Sequence, residues 1–335
     1  MTHRNTVLIL GAAGRFGSAA VAAFAAAGWR VLAQQRRAPD RPLPAGAEWL
    51  DTPLHDTAAL AARAAGASTV VHAVNPPYHR WETELMPLFH HGLAVAQALD
   101  ARFMLPGSVY NYGAGHMPPV LREDTPQRPG TRKGEQRIAM EATLQRLAAQ
   151  GLDSVLVRAG DFFGAGSGSW LDQAVVKDLA RGRLVYPGPL DLVHAWTYLP
   201  DLAQAFVAVA AAPRVRGFQR WHHAGHACTG RAFLAAVEAA AASLGWRPAG
   251  GWRHGGMPWA LVRVVGLVHP LWRELARMRY LWHVPHALDG SALERAVGPL
   301  PATPLEAALR QSLLDLGLGM VQVPVQRGQQ QVAAS

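Results

Sequence analysis

The stretch "TVLILGAAGRFGSAAVAAFAAAG", residues 6–28, decides the fold. Its first five residues form a continuous apolar run, as in a buried parallel strand. Gly11, Gly14 and Gly17 follow at three-residue spacing, and an alanine-rich helical pattern comes next. In such a turn the glycines allow a tight bend, close approach of a pyrophosphate and close packing of the helix. The stretch therefore predicts a dinucleotide-binding strand–turn–helix unit.

The residues after this unit continue to alternate between strand and helix patterns, which is typical of a parallel sheet flanked by helices. We predict a helix over residues 134–151. Further strands are predicted at residues 29–34, 48–51, 68–74, 102–109 and 153–164. The predicted fold class is α/β, a Rossmann-type doubly wound parallel sheet with a smaller C-terminal substrate-capping domain. The expected boundaries are 1–165 for the cofactor domain with a return segment at 190–222, 166–322 for the capping domain, and 323–335 for a flexible tail.

Composition and charge narrow the class of protein. Half of the 335 residues are hydrophobic and 16% are charged, which indicates a globular chain. The net charge is +9, but lysine occurs only at positions 133 and 177 and the arginines are scattered. Nucleic-acid binding needs clustered cations, so we expect no nucleic-acid partner. We expect instead a small-molecule substrate, and a homodimer is possible.

Cysteine usage and hydropathy indicate the compartment. The single cysteine, Cys228, excludes an intramolecular disulfide and fits a reducing environment. The apolar run starts at Thr6 and leads into glycines, so we expect no signal peptide. The stretch "PWALVRVVGLVHPLW", residues 258–272, is too short to span a bilayer, although it could form an apolar surface helix. We therefore expect a cytoplasmic protein without stable membrane insertion.

The end of the second predicted strand bears on the choice of cofactor. NAD-binding units place a carboxylate there for the adenosine ribose, but this chain has Gln35, followed by Arg36 and Arg37. Without the carboxylate there is no repulsion of a 2′-phosphate, and guanidinium groups bind phosphate in a bidentate way. Arg15, inside the glycine turn, is a further donor. The sequence favours NADP(H), with NAD(H) possible; alternatively, Arg36 and Arg37 are ordinary solvated charges.

The chain resembles the extended short-chain dehydrogenase/reductase superfamily, in particular its NAD-dependent epimerase/dehydratase group. The resemblance extends over roughly 300 residues and rests on the order and spacing of several motifs. Besides "GAAGRFG", they are "STVVHAVNP" (68–76), "GSVYNYG" (107–113), "VRAGDFFGAG" (157–166), "HAWTYLPDLAQAFVAVA" (194–210) and the C-terminal segment at 287–317. It implies that Phe16, Ala73 and Val74 line the cofactor site with the glycine turn, and that Asp201 caps a helix returning to the cofactor domain.

The family's chemistry uses a Tyr as acid/base, a Lys four residues later and a Ser or Thr. When the helix at 134–151 is aligned through Glu141, Lys133 takes the Tyr position and Arg137 the Lys position. Pro106 stands where the hydroxyl residue is expected. The chain is therefore an atypical member in which all three roles are altered.

Two interpretations remain open. In the first the protein is an enzyme, in which Lys133 carries the proton and Arg137 holds the ribose. An ammonium beside a guanidinium is destabilised as a cation, which favours proton loss. Ser108, Tyr110 or Tyr112 would then supply the remaining hydroxyl. In the second the protein is a catalytically silent NADP(H)-binding regulator or redox sensor. Lys133 and Arg137 could also be plain surface charges, but the complete capping region favours the enzyme.

The segment "WHHAGHAC" brings possible zinc ligands together. His222, His223, His226 and Cys228 lie within seven residues. The resemblance implies a strand-to-helix loop near the substrate here, with Thr229 capping the following helix. We therefore expect no metal.

Overall fold

The computed structural model describes residues 5–319. Its strands are numbered along the chain as β1 (Thr6–Leu10), β2 (Arg30–Gln34), β3 (Ala47–Leu50), β4 (Thr69–His72), β5 (Arg102–Gly107), β6 (Val120–Leu121), β7 (Ser154–Arg158), β8 (Asp161–Phe163), β9 (Arg183–Tyr186), β10 (Val193–Tyr198), β11 (Phe218–His222), β12 (His226–Thr229), β13 (Arg253–Gly256) and β14 (Ala287–Leu288).

The helices surround these strands. They are α1 (Arg15–Ala26), α2 (Thr57–Arg63), α3 (Met86–Ala98), α4 (Arg132–Ala148), α5 (Leu199–Ala211), α6 (Gly230–Ser243), α7 (Trp259–Val265), α8 (Pro270–Met278), α9 (Ser291–Val297) and α10 (Leu305–Asp315). Short 3-10 or π turns connect several of them, including one at Tyr78–Arg80 and one at Val109–Asn111.

Seven parallel strands form the central sheet, in the order β11-β7-β5-β4-β1-β2-β3. The order runs outward from β1 in both directions and reverses between β1 and β4, so the sheet is doubly wound. Ligands of such sheets bind at the carboxyl ends of the strands beside this reversal. The predicted fold class is confirmed.

The core lies on both faces of the sheet because successive side chains of a strand point to opposite faces. Leu8 and Leu10 of β1 pack on the side covered by α2, α3 and α4. Val7 and Ile9 pack on the other side, under α1 and α5. The chain thus returns to the central sheet, where α5 packs on the same face as α1 and β11 pairs with β7.

A third hydrophobic cluster holds the capping segments together. It joins the small β12-β10-β8 sheet to α6, α7 and α10. Trp196 of β10 stacks on Phe233 of α6 with ring centroids 4.1 Å apart, and both rings are fully buried. The segments after residue 165 thus have a core of their own.

Three local expectations can be compared with the structure. The predicted strand at 153–164 is wrong as one strand, because β7 joins the central sheet and β8 joins the sheet of β10. Asp201 is not the cap of α5: Tyr198 is, and the Asp201 carboxylate accepts hydrogen bonds from Thr303. Thr229 does cap α6, since its side chain accepts from the amide of Ala232. The expected tail at 323–335 lies outside the described residues.

Candidate functional site

The site is built where neighbouring strands of the central sheet end. The glycine turn follows β1, Tyr78 follows β4, Tyr110 follows β5 and Asp161 follows β7. These four strands are consecutive in the order β7-β5-β4-β1. Because parallel strands end at the same edge, residues up to 150 positions apart in the chain face one cleft.

The glycine turn has the form that a dinucleotide phosphate needs. Gly11 adopts a positive φ of 78°, and a Cβ on Gly17 would lie 2.2 Å from the Gly11 carbonyl oxygen, so both positions require glycine. Gly14 is exposed and caps α1 without any side-chain hydrogen bond. The first amides of α1 therefore remain available to an anion. The turn fits a pyrophosphate, although this assignment stays a proposal.

At the end of β2, two glutamines are buried, and the two arginines that follow them are exposed. Gln34 is buried, where its side chain accepts from the Gly11 amide and donates to the Thr52 carbonyl. The Gln35 side chain is also buried and donates to the carbonyl oxygen of Arg37 at 2.9 Å. Arg36 and Arg37 are exposed. Gln35 thus shapes the loop, while the two guanidinium groups remain in solvent.

The other residues expected at the cofactor site occupy different positions. The Nη1 of Arg15 lies 3.5 Å from the carbonyl oxygen of Gly164. Phe16 is buried with its ring against Phe206, so its side chain contributes to the core. Ala73 and Val74 follow β4, and Val74 contacts the position where a Gly11 side chain would be.

Tyr78 and Tyr110 form a pair that is central to the site. Their hydroxyl oxygens lie 2.6 Å apart. Tyr110 is only 8% exposed, whereas Tyr78 is half-buried. The Trp81 ring packs edge-on against Tyr78 with centroids 5.5 Å apart, and it also contacts Tyr110. Both phenols are therefore held in place at the carboxyl edge of the sheet.

The two phenols differ in acidity. Burial raises the pKa of Tyr78 above its usual value and raises that of Tyr110 further. The hydrogen bond lowers the pKa of Tyr78 and raises that of Tyr110, as expected when Tyr110 donates and Tyr78 accepts. The Arg137 cation lowers the pKa of both. The pKa of Tyr78 is therefore raised less than that of Tyr110, and either hydroxyl can donate the hydrogen bond between them.

Lys133 is buried and paired. Its Nζ donates to the Tyr78 carbonyl at 2.9 Å and to Glu274 of α8 at 2.5 Å, and its side chain is 4% exposed. The ammonium also lies 5.2 Å from the centroid of the Trp81 ring. Lys133 is therefore not a plain surface charge. Lys133 thus forms a buried ion pair with Glu274 that the sequence did not indicate.

Arg137 lies one helical turn after Lys133 on α4. Its guanidinium carbon is 4.8 Å from the centroid of the Trp81 ring, and its buried Nε has no hydrogen-bond partner among the described residues. Burial lowers the pKa of Arg137, but a guanidinium remains protonated in proteins. A buried cation with an unused donor next to two phenols could hold an oxygen of a bound ligand.

A carboxylate and an imidazole approach the same cleft from the capping side. The His194 Nε2 lies 2.9 Å from Asp161, and the His194 ring stacks on Trp282 with centroids 4.1 Å apart. The negative charge of Asp161 acts to raise the pKa of both Tyr78 and Tyr110. Asp161 therefore belongs electrostatically to the tyrosine pair.

The Ser108 backbone and the Tyr112 ring contact a buried ion network, and the Ser108 hydroxyl is buried without a hydrogen-bond partner among the described residues. The Ser108 carbonyl accepts from Arg158, and the ring of Tyr112 lies under that guanidinium. Glu141 accepts from Arg158, at 2.6 Å, and from Arg220, at 2.7 Å. This network ties α4 to β7 and β11.

The histidine-rich loop lines a separate cavity of about 100 Å³, bordered by Tyr198, Asp201, His222, His223 and His226 among others. Burial lowers the pKa of His222 and that of His223 to about 4, so both rings are neutral at physiological pH. Within residues 5–319, no group of three or more His, Cys, Asp or Glu side chains could hold a metal ion.

Three residues of the site, Tyr78, Asp161 and Glu274, were not predicted from the sequence. Tyr78 lies in "NPPYHRW", directly after a strong strand, and its place at a carboxyl end could have identified it. Asp161 was hidden because residues 153–164 were read as one strand. Glu274 lies 141 positions after Lys133, and its segment has no local feature that indicates this contact.

No helix within the described part of the chain is long and apolar enough to cross a bilayer.

Solved structures with the same fold cover nearly the whole chain. L-threonine dehydrogenase from Clostridium difficile has a TM-score of 0.71 at 18% identity, covering 94% of this chain and 98% of that one. UDP-glucose 4-epimerase from Thermotoga maritima has a TM-score of 0.71 at 15% identity, covering 92% and 98%. The Bordetella bronchiseptica enzyme WbmH, in complex with NAD+, has a TM-score of 0.68 at 18% identity, covering 93% and 98%.

No curated protein matches the sequence. A family model does match it, over residues 7–220, which include the glycine turn, the tyrosine pair and Lys133. The matched range is more than half of the chain. The protein belongs to the NAD dependent epimerase/dehydratase family.

Proposed function

We propose that the protein is a nicotinamide-dinucleotide-dependent oxidoreductase or epimerase that acts on a carbonyl or hydroxyl group of a small molecule. The observation that carries the proposal is the hydrogen bond of 2.6 Å between Tyr78 and Tyr110 at the cofactor edge of the sheet. It provides a phenolic acid/base where the family's usual tyrosine is missing.

We assign each residue of the cleft a role. Tyr78 donates its proton to the substrate oxygen, and Tyr110 is a positioning residue that holds the Tyr78 oxygen. Lys133 positions Tyr78 by donating a hydrogen bond to the Tyr78 carbonyl oxygen. Arg137 contributes the cation that the family's lysine would provide. A nicotinamide ring bound here would supply or accept the hydride. Because burial keeps Tyr78 protonated, the arrangement suits reduction of a carbonyl better than oxidation of an alcohol.

Support for the cofactor comes from the glycine turn and from β2. The turn leaves the amides of α1 uncapped, and the exposed Arg36 and Arg37 follow Gln35, which takes the place of the carboxylate of NAD-binding units. The neighbour WbmH was solved with NAD+, so the fold accepts a nicotinamide dinucleotide. We propose NADP(H) as the preferred form because two guanidinium groups favour a 2′-phosphate.

The substrate class is proposed more broadly. The Thermotoga maritima relative was solved with UDP-glucose, so a sugar-nucleotide-type hydroxyl compound is one candidate. Simple aldehydes and ketones are others. The purified protein should be incubated with NADPH and a panel of aldehydes, ketones, quinones and nucleotide sugars, while nicotinamide absorbance and epimerised products are followed. Tight NADPH binding without any turnover would favour a silent regulatory binder instead.

Phenol-to-phenyl substitutions test the assigned roles. Tyr78→Phe should lower kcat at least about a hundredfold, the usual contribution of a general acid, with little change in cofactor affinity. Tyr110→Phe should lower it less. Tyr112→Phe is the matched control, because that hydroxyl is buried beside Arg158, and it should keep turnover. Turnover that survives Tyr78→Phe but is lost in Lys133→Met would instead support Lys133 as the proton carrier.

The pH dependence of the reduction gives an independent readout. A phenol with a raised pKa remains protonated up to and beyond pH of about 10. The kcat of carbonyl reduction should therefore stay level between pH of about 6 and about 9. A fall of kcat as the pH rises through that window would mean that another group donates the proton.

A further inference from the structure

Exposed apolar side chains are concentrated at one place on the surface. Eight large hydrophobic side chains are exposed in the described part of the chain, and five of them lie in or between α7 and α8. We call this set the α7–α8 tip; it consists of Leu261, Val264, Leu267, Val268 and Leu271. Leu267 is 76% exposed and Val268 is 84% exposed, so the turn between the helices presents the most apolar surface to solvent.

The tip is held in this exposed arrangement by specific contacts. Arg273 donates from Nε to the carbonyl oxygen of Gly266 and from Nη2 to that of Leu267, each at 3.0 Å. On the opposite side, Trp259 and Val262 of α7 are buried in the third hydrophobic cluster. The buried face of α7 thus packs in the core, and hydrogen bonds from Arg273 fix the turn between α7 and α8. A braced apolar surface indicates a binding face more than a loose loop does.

The tip lies in a strongly basic segment. Residues 253–288 contain five arginines but a single acidic residue, Glu274. Arg263 and Arg273 are exposed within the tip itself, and Arg277 follows on α8. Glu274 is mostly buried and pairs with both Lys133 and Arg277, so Arg263 is an exposed guanidinium of this region for which no carboxylate partner is found among the described residues. Apolar side chains surrounded by guanidinium groups are complementary to a surface that is apolar inside and anionic at its rim.

We propose that the α7–α8 tip docks on an anionic phospholipid bilayer. Leu267, Val268 and Val264 enter the interface between headgroups and acyl chains, and the neighbouring arginines contact lipid phosphates. Arginines are attracted to an anionic surface, and buried apolar area strengthens the binding. The helices do not span the bilayer; the protein binds reversibly from one side.

A second copy of the chain fits this face less well. A two-fold dimer brings the same patch of each subunit together. Here it would oppose two sets of arginines with hardly any carboxylate between them, and like charges at an interface cost affinity. The charge pattern therefore favours lipid over self-association.

The test is co-sedimentation of the full-length protein with vesicles. Vesicles of phosphatidylcholine with phosphatidylglycerol should bind it, vesicles of phosphatidylcholine alone should bind it at least about tenfold more weakly, and high salt should weaken binding further. The double variant Leu267→Glu/Val268→Glu should lose at least about tenfold in affinity for the anionic vesicles. Val215→Glu is the matched control, because Val215 is 56% exposed but lies outside the tip, and it should bind normally.

Three results would overturn the proposal. They are an absence of binding to anionic vesicles, equal binding of the tip variant and the wild type, and a change of oligomeric state in the tip variant without any change in vesicle binding. The last result would make the tip a protein interface. These readouts need neither cofactor nor turnover, so failure of the proposed function would leave them unaffected.

Discussion

At the scale of single residues, one contact changes the chemical interpretation of the site. The sequence aligns Lys133 with the missing tyrosine, but the structure surrounds that ammonium with Glu274 and the Tyr78 carbonyl. Tyr78, which follows β4, and Tyr110, which follows β5, place two hydrogen-bonded phenols at this site. An acid/base group can therefore change its position in the sequence while staying at the same edge of the sheet.

The arginines after β2 give the residue-scale prediction. Arg36→Ala/Arg37→Ala should weaken NADPH binding at least about tenfold, or about 1.4 kcal/mol, because a 2′-phosphate loses its guanidinium partners. NADH should bind almost as before. Fluorescence titration of both cofactors against wild type and variant measures the difference. Equal losses for NADPH and NADH would mean that the arginines do not recognise the phosphate.

At the scale of elements, the turn between β1 and α1 gives a pair of contrasting variants. A Cβ on Gly14 would have as its nearest neighbour the Gly11 carbonyl, at 3.3 Å, whereas on Gly17 it would lie 2.2 Å from that same oxygen. Gly14→Val should therefore fold with a normal melting temperature and lose dinucleotide binding, since its side chain occupies the phosphate approach. Gly17→Ala should already be unstable without cofactor.

Thermal denaturation with and without cofactor separates these outcomes. A ligand at about 100 times its Kd stabilises by ~2.7 kcal/mol, so Gly14→Val should lose that shift. If Gly14→Val still binds either dinucleotide tightly, the turn does not approach the pyrophosphate.

Elements also show how far the sequence could predict the structure. β1 and α1 were predictable because hydrophobic period and glycine spacing are local properties. The break between β7 and β8 within residues 153–164 was not predictable, since it depends on a distant contact. A Cβ on Gly160, where the chain passes from one sheet to the other, would lie 2.3 Å from the Ala195 carbonyl oxygen. The glycine turn was likewise local, whereas the Tyr78–Tyr110 pair and the Lys133–Glu274 pair required the topology.

At the scale of the whole molecule, α8 connects three features. It carries part of the α7–α8 tip, it packs on the segment Tyr78–Arg80, and its Glu274 binds Lys133 of α4. The capping segments therefore hold the proposed catalytic tyrosine in place from outside the cofactor half.

The Lys133–Glu274 pair provides the final prediction. Lys133→Met leaves Glu274 with only Arg277, at 2.6 Å, as a partner, and Glu274→Gln leaves a buried ammonium without its carboxylate. Each single substitution should lower the free energy of unfolding by about 3 kcal/mol, the lower end for a broken buried pair. Lys133→Met/Glu274→Gln should lose clearly less than the sum, because both charges are gone together.

Urea denaturation of the two single variants and the double variant measures this coupling. Arg30→Met is the matched control, since the Arg30–Glu48 pair is about half exposed on both sides and should contribute less than about 1 kcal/mol. Additive losses in the double variant would show that the pair does not join α8 to α4. A coupling of about 1 kcal/mol or more would show that α8 is fixed to α4 through the Lys133–Glu274 pair.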